Sequence, residues 1–412
     1  MSVSVYTLSN GLRVAFFPGT DNSVYLTLIV RAGVRFEEDE ELGFSHPTEH
    51  LCMQNFPLHY KMEERWGKLY NAETGPEDIT YQWFFLKNKL AQGIRAAFQF
   101  LISPVNPKEF ASEKKLIGIE FLESLGESDP VLDDLLRRII WQGHRLEKDN
   151  FKLFQKRLQR FSLSQFEVFR RKIHCGRNMA LAIVGDVKAS DFLPFLEKNF
   201  GKLPAGKRLP VKVARLKRRK GFKVVRKPRV LEVVHCKLEF PLPRLSRKEW
   251  RVLDLLDAYL ANNDLFSRVL FKRLRGAGLL YSISSESEEL YDSGSFTIKW
   301  VCLPADVKTI LRIILEEIGK ISQGNLTHEE FRHARRVFYL TQKEKSEDEL
   351  IISGKLAEQL LRTGRPTNPK LLPKQAQRVK RFEVTNLVKT YLDPNKAVLA
   401  LYGPVKNLRV RI

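Results

Sequence analysis

Nowhere in the 412 residues does an apolar run approach about eighteen uninterrupted positions, so no membrane-crossing helix is expected. The stretch from Met1 to Tyr6 goes straight into a strand pattern without the charged region and apolar core of a secretory signal, and a cytoplasmic protein is the expectation. Cysteine is sparse. Cys52, Cys175, Cys236 and Cys302 lie far apart with no C-x-x-C pair, which argues against a disulfide framework or a structural zinc ribbon. Histidine is scarce as well, at eight residues, and acid falls short of base: 70 Lys and Arg against 48 Asp and Glu give a formal charge of +22. Such a surplus points to acidic partners, whether substrate, nucleic acid or anionic surface, and says nothing about fold.

Much of that charge is concentrated. Thirteen Lys or Arg lie between Lys202 and Arg229, including the run Lys217 to Lys220, punctuated by Pro204, Pro210 and Pro228. Polar and proline-broken between two periodic halves, residues 206–229 read as a basic interdomain linker, dividing a first domain at 1–205 from a second at 230–412. As a nucleic-acid site the run lacks interleaved aromatic residues beyond Phe222, so nucleic acid is not the expected partner.

The first half reads as three strands to about Val30, a helix, a second helix at Leu58 to Trp66, and strands at Leu69 to Thr74 and Ile79 to Leu86. Helices follow at 88–103, 107–126, 129–142 and 162–174, then a strand at Asn178 to Asp186 and a closing helix at Phe192 to Phe200. The second half repeats this plan, with strands at Val230 to Phe240, Tyr281 to Ser287 and Ser293 to Cys302 among helices. Asn395 to Pro404 echoes the strand at Asn178. An α+β chain of two similar halves, each a mostly antiparallel sheet packed with helices, is the fold expected from internal duplication.

Two of the eight histidines stand four residues apart in the segment Ser45 to His50. On a helix His46 and His50 share one face and can reach a single tetrahedral Zn²⁺, while Glu49, rotated off that stripe, is placed to take a proton from water. The helix should begin near Ser45, whose hydroxyl is a candidate cap, and Pro47 is tolerated in a first turn. The order is H-x-x-E-H, that of the inverted zincins. A catalytic zinc needs a third protein ligand and one open position. Glu113 and Glu120, seven apart in a helical segment containing apolar Leu116, Ile117, Ile119 and Phe121, project from one face and offer that ligand, although a Glu pair alone more often marks an ordinary charged helix face.

His46, Glu49 and His50, followed by Glu113 and Glu120, resemble the pitrilysin/insulinase family of metallopeptidases, which includes the mitochondrial processing peptidases. The segments Tyr6 to Val14, Ala32 to Glu37, Asn71 to Thr74 with Thr80 and Tyr81, and Leu270 to Ser282 are similar to that family's opening strands, the lead into its metal helix, its active-site edge strand and its C-terminal signature. The resemblance implies one zinc per chain, held by His46, His50 and Glu120, with Glu49 as base and Glu113 orienting a ligand from behind. It further implies that Asn71, Ala72 and Thr74 hold an extended peptide, that Arg275 and Tyr281 assist at the active site, and that the two halves form half of a clamshell. A homodimer would complete the chamber.

The function this supports is a zinc metalloendopeptidase acting on extended or unfolded peptides. Two alternatives stand beside it: a catalytically inactive structural or peptide-binding homologue, and a basic nucleic-acid-associated protein using the Lys202 to Arg229 run. His235, His328 and His333 of the second half read as structural or solvated.

Overall fold

The computed structural model describes residues 2–20, 22–53, 67–148, 151–213, 221–261, 268–406, 408 and 410. The helix expected at Leu58 to Trp66 and the basic run Lys217 to Lys220 lie outside these residues. The chain forms two compact units, and neither is a continuous stretch. The first comprises Met1–Leu122, Lys148–Lys212 and Glu344–Leu371, the second Glu123–Glu147, Val213–Lys343 and Leu372–Ile412.

In the first unit, strands β1 (Ser4–Thr7), β2 (Arg13–Pro18), β3 (Ser23–Arg31), β4 (Gly67–Thr74), β5 (Asp78–Leu86) and β6 (Met179–Gly185) form one sheet in the order β1-β2-β6-β3-β5-β4. Every pairing is antiparallel except β2 with β6. The unbroken apolar sequence of β6 follows from coverage on both faces. Leu181 and Ile183 enter a core with Phe98 and Phe100 of the Leu90–Ile102 helix, Phe166 and Phe169 of the Leu163–Ile173 helix, and Phe192 of the Ala189–Asn199 helix. The alternate residues Ala180, Ala182 and Val184 join Phe17 and Ile29 against Ile352, Leu356, Leu360 and Leu361 of the Glu349–Thr363 helix. A segment from far along the chain therefore closes the second face of the first sheet, which explains why the unit is discontinuous.

The second unit holds β7 (Lys223–Pro228), β8 (Val234–Pro243), β9 (Ser282–Glu289), β10 (Ser293–Cys302) and β11 (Val398–Gly403) in the order β7-β11-β8-β10-β9. Its one parallel pairing is β11 with β7. Matched by position and sense, β7 to β11 repeat β2 to β6 one for one, which is the internal duplication in three dimensions. The exchange of helices is reciprocal, because the Ser128–Ile140 helix packs on β7, β8 and β11 of the second sheet.

The basic segment is thus not linker throughout. Residues Lys223–Pro228 are the second copy's counterpart of β2, paired in register with Val398–Gly403. Lying on the sheet edge, β7 needs only a half-buried Val224 and Val225, and its remaining positions are exposed to water. That is why a strand can be written in such a charged sequence. Of the three passages from the first unit to the second, at Leu122/Glu123, Lys212/Val213 and Leu371/Leu372, the middle one lies within the span read as linker.

All four cysteines are buried and unpaired. Among the described residues no helix is long and apolar enough to cross a membrane. If the Glu349–Thr363 helix is a structural half of the first unit, Leu356→Ala should destabilise that unit by about 2–5 kcal/mol, as for other buried leucines. Denaturant unfolding followed by hydrogen exchange in β2, β3 and β6 measures it, and unchanged protection there would show the helix to be a loose appendage.

Candidate metal centre

The helix Ser45–Met53 is nine residues long, too short to hold its own direction, so its placement comes from what surrounds it. Glu37, almost fully buried, accepts the Gly43 N–H through Oε2 at 2.7 Å and the Ser45 N–H through Oε1 at 2.8 Å. A carboxylate thereby satisfies the first N–H of the helix and one of the turn that leads into it, and meets the helix's positive end. The turn before the helix needs Gly43 at φ +86°. The Ser45 hydroxyl, expected as the cap, instead faces backwards and accepts the Gly33 N–H at 2.7 Å. Glu37 is the cap, and its distance along the sequence hides it from any local capping pattern. Leu51, Cys52 and Phe44 anchor the apolar side, with the Phe44 ring 4.4 Å from that of Phe161.

With the helix so fixed, His46 and His50 bring their Nε2 atoms to 3.0 Å. Glu120, from the Pro107–Ser124 helix, places Oε1 3.6 Å from His46 Nε2 and Oε2 3.2 Å from His50 Nε2. The three donor atoms lie within 4.8 Å of one another, and no other such group of His, Cys, Asp or Glu occurs among the described residues. His235, His328 and His333 belong to none.

Glu113, two turns earlier on the same helix, puts Oε1 2.9 Å from His50 Nδ1. An ionised carboxylate only accepts, so the ring proton belongs on Nδ1, which leaves the Nε2 lone pair facing His46 and Glu120. Burial would lower the His50 pKa. The Glu113 hydrogen bond and the charges of Glu49 and Glu120 outweigh it and raise the pKa above the usual imidazole value. Three carboxylates around two imidazoles thus form a site with surplus negative charge and converging lone pairs, a donor set that fits a divalent cation bound by nitrogen and oxygen.

Glu49 is one residue from His50 but turned out of the donor group. Its side chain is buried, and its pKa is raised by that burial, while the Thr74 hydroxyl donates to Oε2 at 2.7 Å and pulls the other way. Thr74 ends β4, which lies at the sheet edge with only β5 beside it among the described residues. Asn71 is exposed on that strand and Ala72 is half-buried against the core. The structure thus brings His46, Glu49, His50, Thr74, Glu113 and Glu120 together in the first unit. Sequence reading had not anticipated that Thr74 would bond Glu49.

Arg275 and Tyr281 belong to the second unit. Arg275, in the Val269–Gly276 helix, lies over the Phe271 ring at 5.4 Å and donates to the Tyr281 carbonyl oxygen at 3.3 Å, and the Tyr281 side chain is 81% exposed. They stand beside one another, presented to solvent.

A duplicated α+β fold bearing H-x-x-E-H on one helix and a carboxylate on a second defines a protein with the donor arrangement of inverted zincins. Residues 14–152 match the family model described as insulinase, peptidase family M16, and residues 160–338 match that described as peptidase M16 inactive domain. The chain belongs to this pitrilysin/insulinase family. A protein of Rickettsia felis named as an uncharacterized zinc protease is 25% identical over 333 residues, covering 78% of each chain. In fold the chain is similar to a protease from Helicobacter pylori, with TM-score 0.86 and 18% identity over 98% of this chain and 100% of that one. It is similar also to a peptidase M16 inactive domain structure from Pseudomonas fluorescens, with TM-score 0.88 and 16% identity over 100% of both.

Glu120→Gln should weaken zinc retention far more than Glu113→Gln, since the first removes a donor from the group and the second only an orienting bond, worth about 10- to 100-fold in affinity. Competitive chelator titration of the two variants decides this. Equal loss, or the reverse order, would show that Glu120 is not the third ligand.

Proposed function

We propose that the chain is a zinc metalloendopeptidase that hydrolyses extended or unfolded peptides, with its site in the first unit. The observation that carries this reading is the convergence of His46, His50 and Glu120 beside a buried Glu49 that is itself outside the donor group. When bound there, zinc would supply Lewis acidity toward the scissile carbonyl and the attacking water.

The rest is work for the chain's own groups. Thr74 holds Glu49 through Oε2, leaving Oε1 to take a proton from the attacking water and deliver it to the leaving nitrogen. Burial raises the proton affinity of Glu49 above that of an ordinary carboxylate, the direction that suits a group that must accept and then return a proton. Glu113 keeps His50 in the tautomer whose Nε2 is free to bind metal. The edge strand β4 is suited to pair with an extended peptide through main-chain hydrogen bonds, with Asn71, Ala72 and Thr74 alongside, a mode that selects unfolded chain. Arg275 offers a bidentate cation and Tyr281 a hydroxyl for a developing oxyanion.

The model description for residues 160–338 calls that region inactive, which agrees with the absence of H-x-x-E-H from the second copy and supports one site per chain. A wholly silent homologue is the competing reading. Glu49→Gln separates the two: zinc content and fold should persist while hydrolysis of a quenched fluorescent peptide falls by about 10²- to 10⁴-fold. Near-wild-type turnover in that variant would sink the mechanism, and a zinc-loaded wild type with no turnover on varied peptides would favour the silent reading.

The same reading extends to assembly. Two α+β units are half of the enclosing chamber that the family resemblance implies, so a closed two-fold dimer, with Arg275 and Tyr281 of one subunit serving the other's metal site, would complete the enzyme. Mixing a Glu49→Gln chain with a Tyr281→Phe chain is then expected to restore one intact site per heterodimer. Activity no higher than either parent, or a strict monomer that cleaves peptides, refutes action across the dimer.

A further inference from the structure

Behind the metal cluster three pieces of chain are clamped together. The Gly33 N–H bonds to Ser45 Oγ at the start of the histidine helix, and the Arg35 N–H donates to the Pro76 carbonyl at 3.1 Å in the turn between β4 and β5. Gly33 sits at φ +81° so close to that turn that a Cβ would strike the Gly75 carbonyl oxygen. The turn is closed by the Gly75 N–H donating to the Asp78 carbonyl at 2.8 Å, and the residue before it is Thr74, which holds Glu49.

One side chain of this turn points inward. Glu77 is 1% exposed, with Oε1 2.5 Å from Arg35 Nε and Oε2 3.2 Å from Arg362 Nη1. Arg362 also reaches Glu358 Oε1 through Nε at 3.2 Å. Arg362 and Glu358 lie on the Glu349–Thr363 helix, from far along the chain. A carboxylate buried to this degree keeps its charge only while cations face it, so losing either arginine leaves a partly compensated charge in the interior and drives the turn to rearrange.

We propose that Arg362 is a positioning residue for the metal site. By holding Glu77 it fixes the β4–β5 turn, through Thr74 the aim of Glu49, and through Arg35 and Gly33 the start of the helix carrying His46 and His50. The inference deepens the peptidase reading and rests on it for its catalytic consequence, while its structural consequence can be read without any turnover. It assigns to the second half of the sequence a specific charge on which the first unit's site depends, beyond the apolar cover that Leu356 and Leu360 provide.

The test uses the full chain as Arg362→Gln, Arg362→Lys and, as a packing control, Leu356→Ala. In Arg362→Gln, hydrogen exchange is expected to speed up by about tenfold or more in residues 43–50 and 74–78, as for a local opening. In Leu356→Ala the change should fall on β2, β3 and β6. With zinc bound and at a temperature where all variants are folded, kcat of Arg362→Gln should drop by about 10- to 100-fold with KM changed by less than about twofold, the signature of a misaimed group rather than lost binding. Leu356→Ala should keep kcat, Arg362→Lys should fall between, and millimolar guanidinium should restore part of the Arg362→Gln loss. Should Arg362→Gln fail to fold, Arg362→Lys carries the comparison. Unchanged exchange in the turn with unchanged kcat overturns the proposal, as does an equal kcat loss in Leu356→Ala. A wild type that binds zinc and cleaves nothing overturns the peptidase reading instead, and exchange in the turn still decides whether Arg362 holds it.

Discussion

A buried carboxylate at the start of a nine-residue helix is the constraint from which the site is built. Glu37 would be costly to bury uncompensated, and it is held by the first N–H of the helix, from Ser45, and by that of Gly43 in the turn before it. The bond works in both directions: the helix dipole stabilises the charge by about 0.3–1 kcal/mol or more, and the charge fixes where the helix begins. Helix ends fray, yet His46 lies in the first turn and has to meet His50 within 3.0 Å. Pinning the start with Glu37 and the apolar side with Phe44 and Leu51 removes that freedom and fixes the direction in which both imidazoles point.

Around this helix, residues of one type take different parts according to surroundings. Glu120 is half exposed and faces both imidazoles; Glu113 is buried behind His50 and meets its Nδ1; Glu49 is buried against Thr74 with its proton affinity raised by lost solvation. Exposure leaves Glu120 accessible to a cation, the His50 bond commits Glu113 to orientation, and in the proposed mechanism rotation off the donor face keeps Glu49 for proton transfer. The chemistry is divided by environment, since the side chains themselves are identical.

The parts of the site legible in sequence are those whose geometry lies within one element. The four-residue step from His46 to His50 and the seven-residue step from Glu113 to Glu120 are both helical repeats, so their shared faces could be read directly. Glu37, the Arg35–Glu77–Arg362 group and the bond from Thr74 to Glu49 were not legible, Thr74 itself being readable only as a peptide-holding residue of the edge strand. Each acts across a gap set by tertiary folding, and nothing in local propensity marks it. The strand β7 was hidden for another reason. An edge strand presents most of its residues to water, so its sequence carries the charges of a linker and lacks the alternation by which β5 or β10 is recognised. The duplication was visible because β6 and β11, central in their sheets and covered on both faces, keep the same apolar character in both copies.

Exchange of helices between the copies makes each sheet depend on the other half of the sequence. Each sheet exposes a second face that its own half of the sequence does not cover. On the first sheet the cover is apolar, Ile352, Leu356 and Leu360 upon Ala182 and Val184, reinforced at its end by Arg362 on Glu77. On the second the Ser128–Ile140 helix also buries apolar residues, Val131, Leu132, Leu136 and Ile140, and adds ion pairs: Asp133 meets Lys237, and Asp129 meets Lys299 at 3.3 Å. Glu239, pushed up to about 7 chiefly by burial against the pull of Lys237, sits among them. An apolar face binds its helix with little regard to orientation, whereas buried polar ties specify it, so the Glu77 pair, the Thr27–Ser353 hydroxyl contact at 2.7 Å and the Thr20 N–H donated to Glu349 Oε1 at 2.7 Å together give the first cover a defined angular position. Sequence in the second copy is thereby constrained by chemistry in the first, and the cover cannot be replaced by any helix that is merely amphipathic.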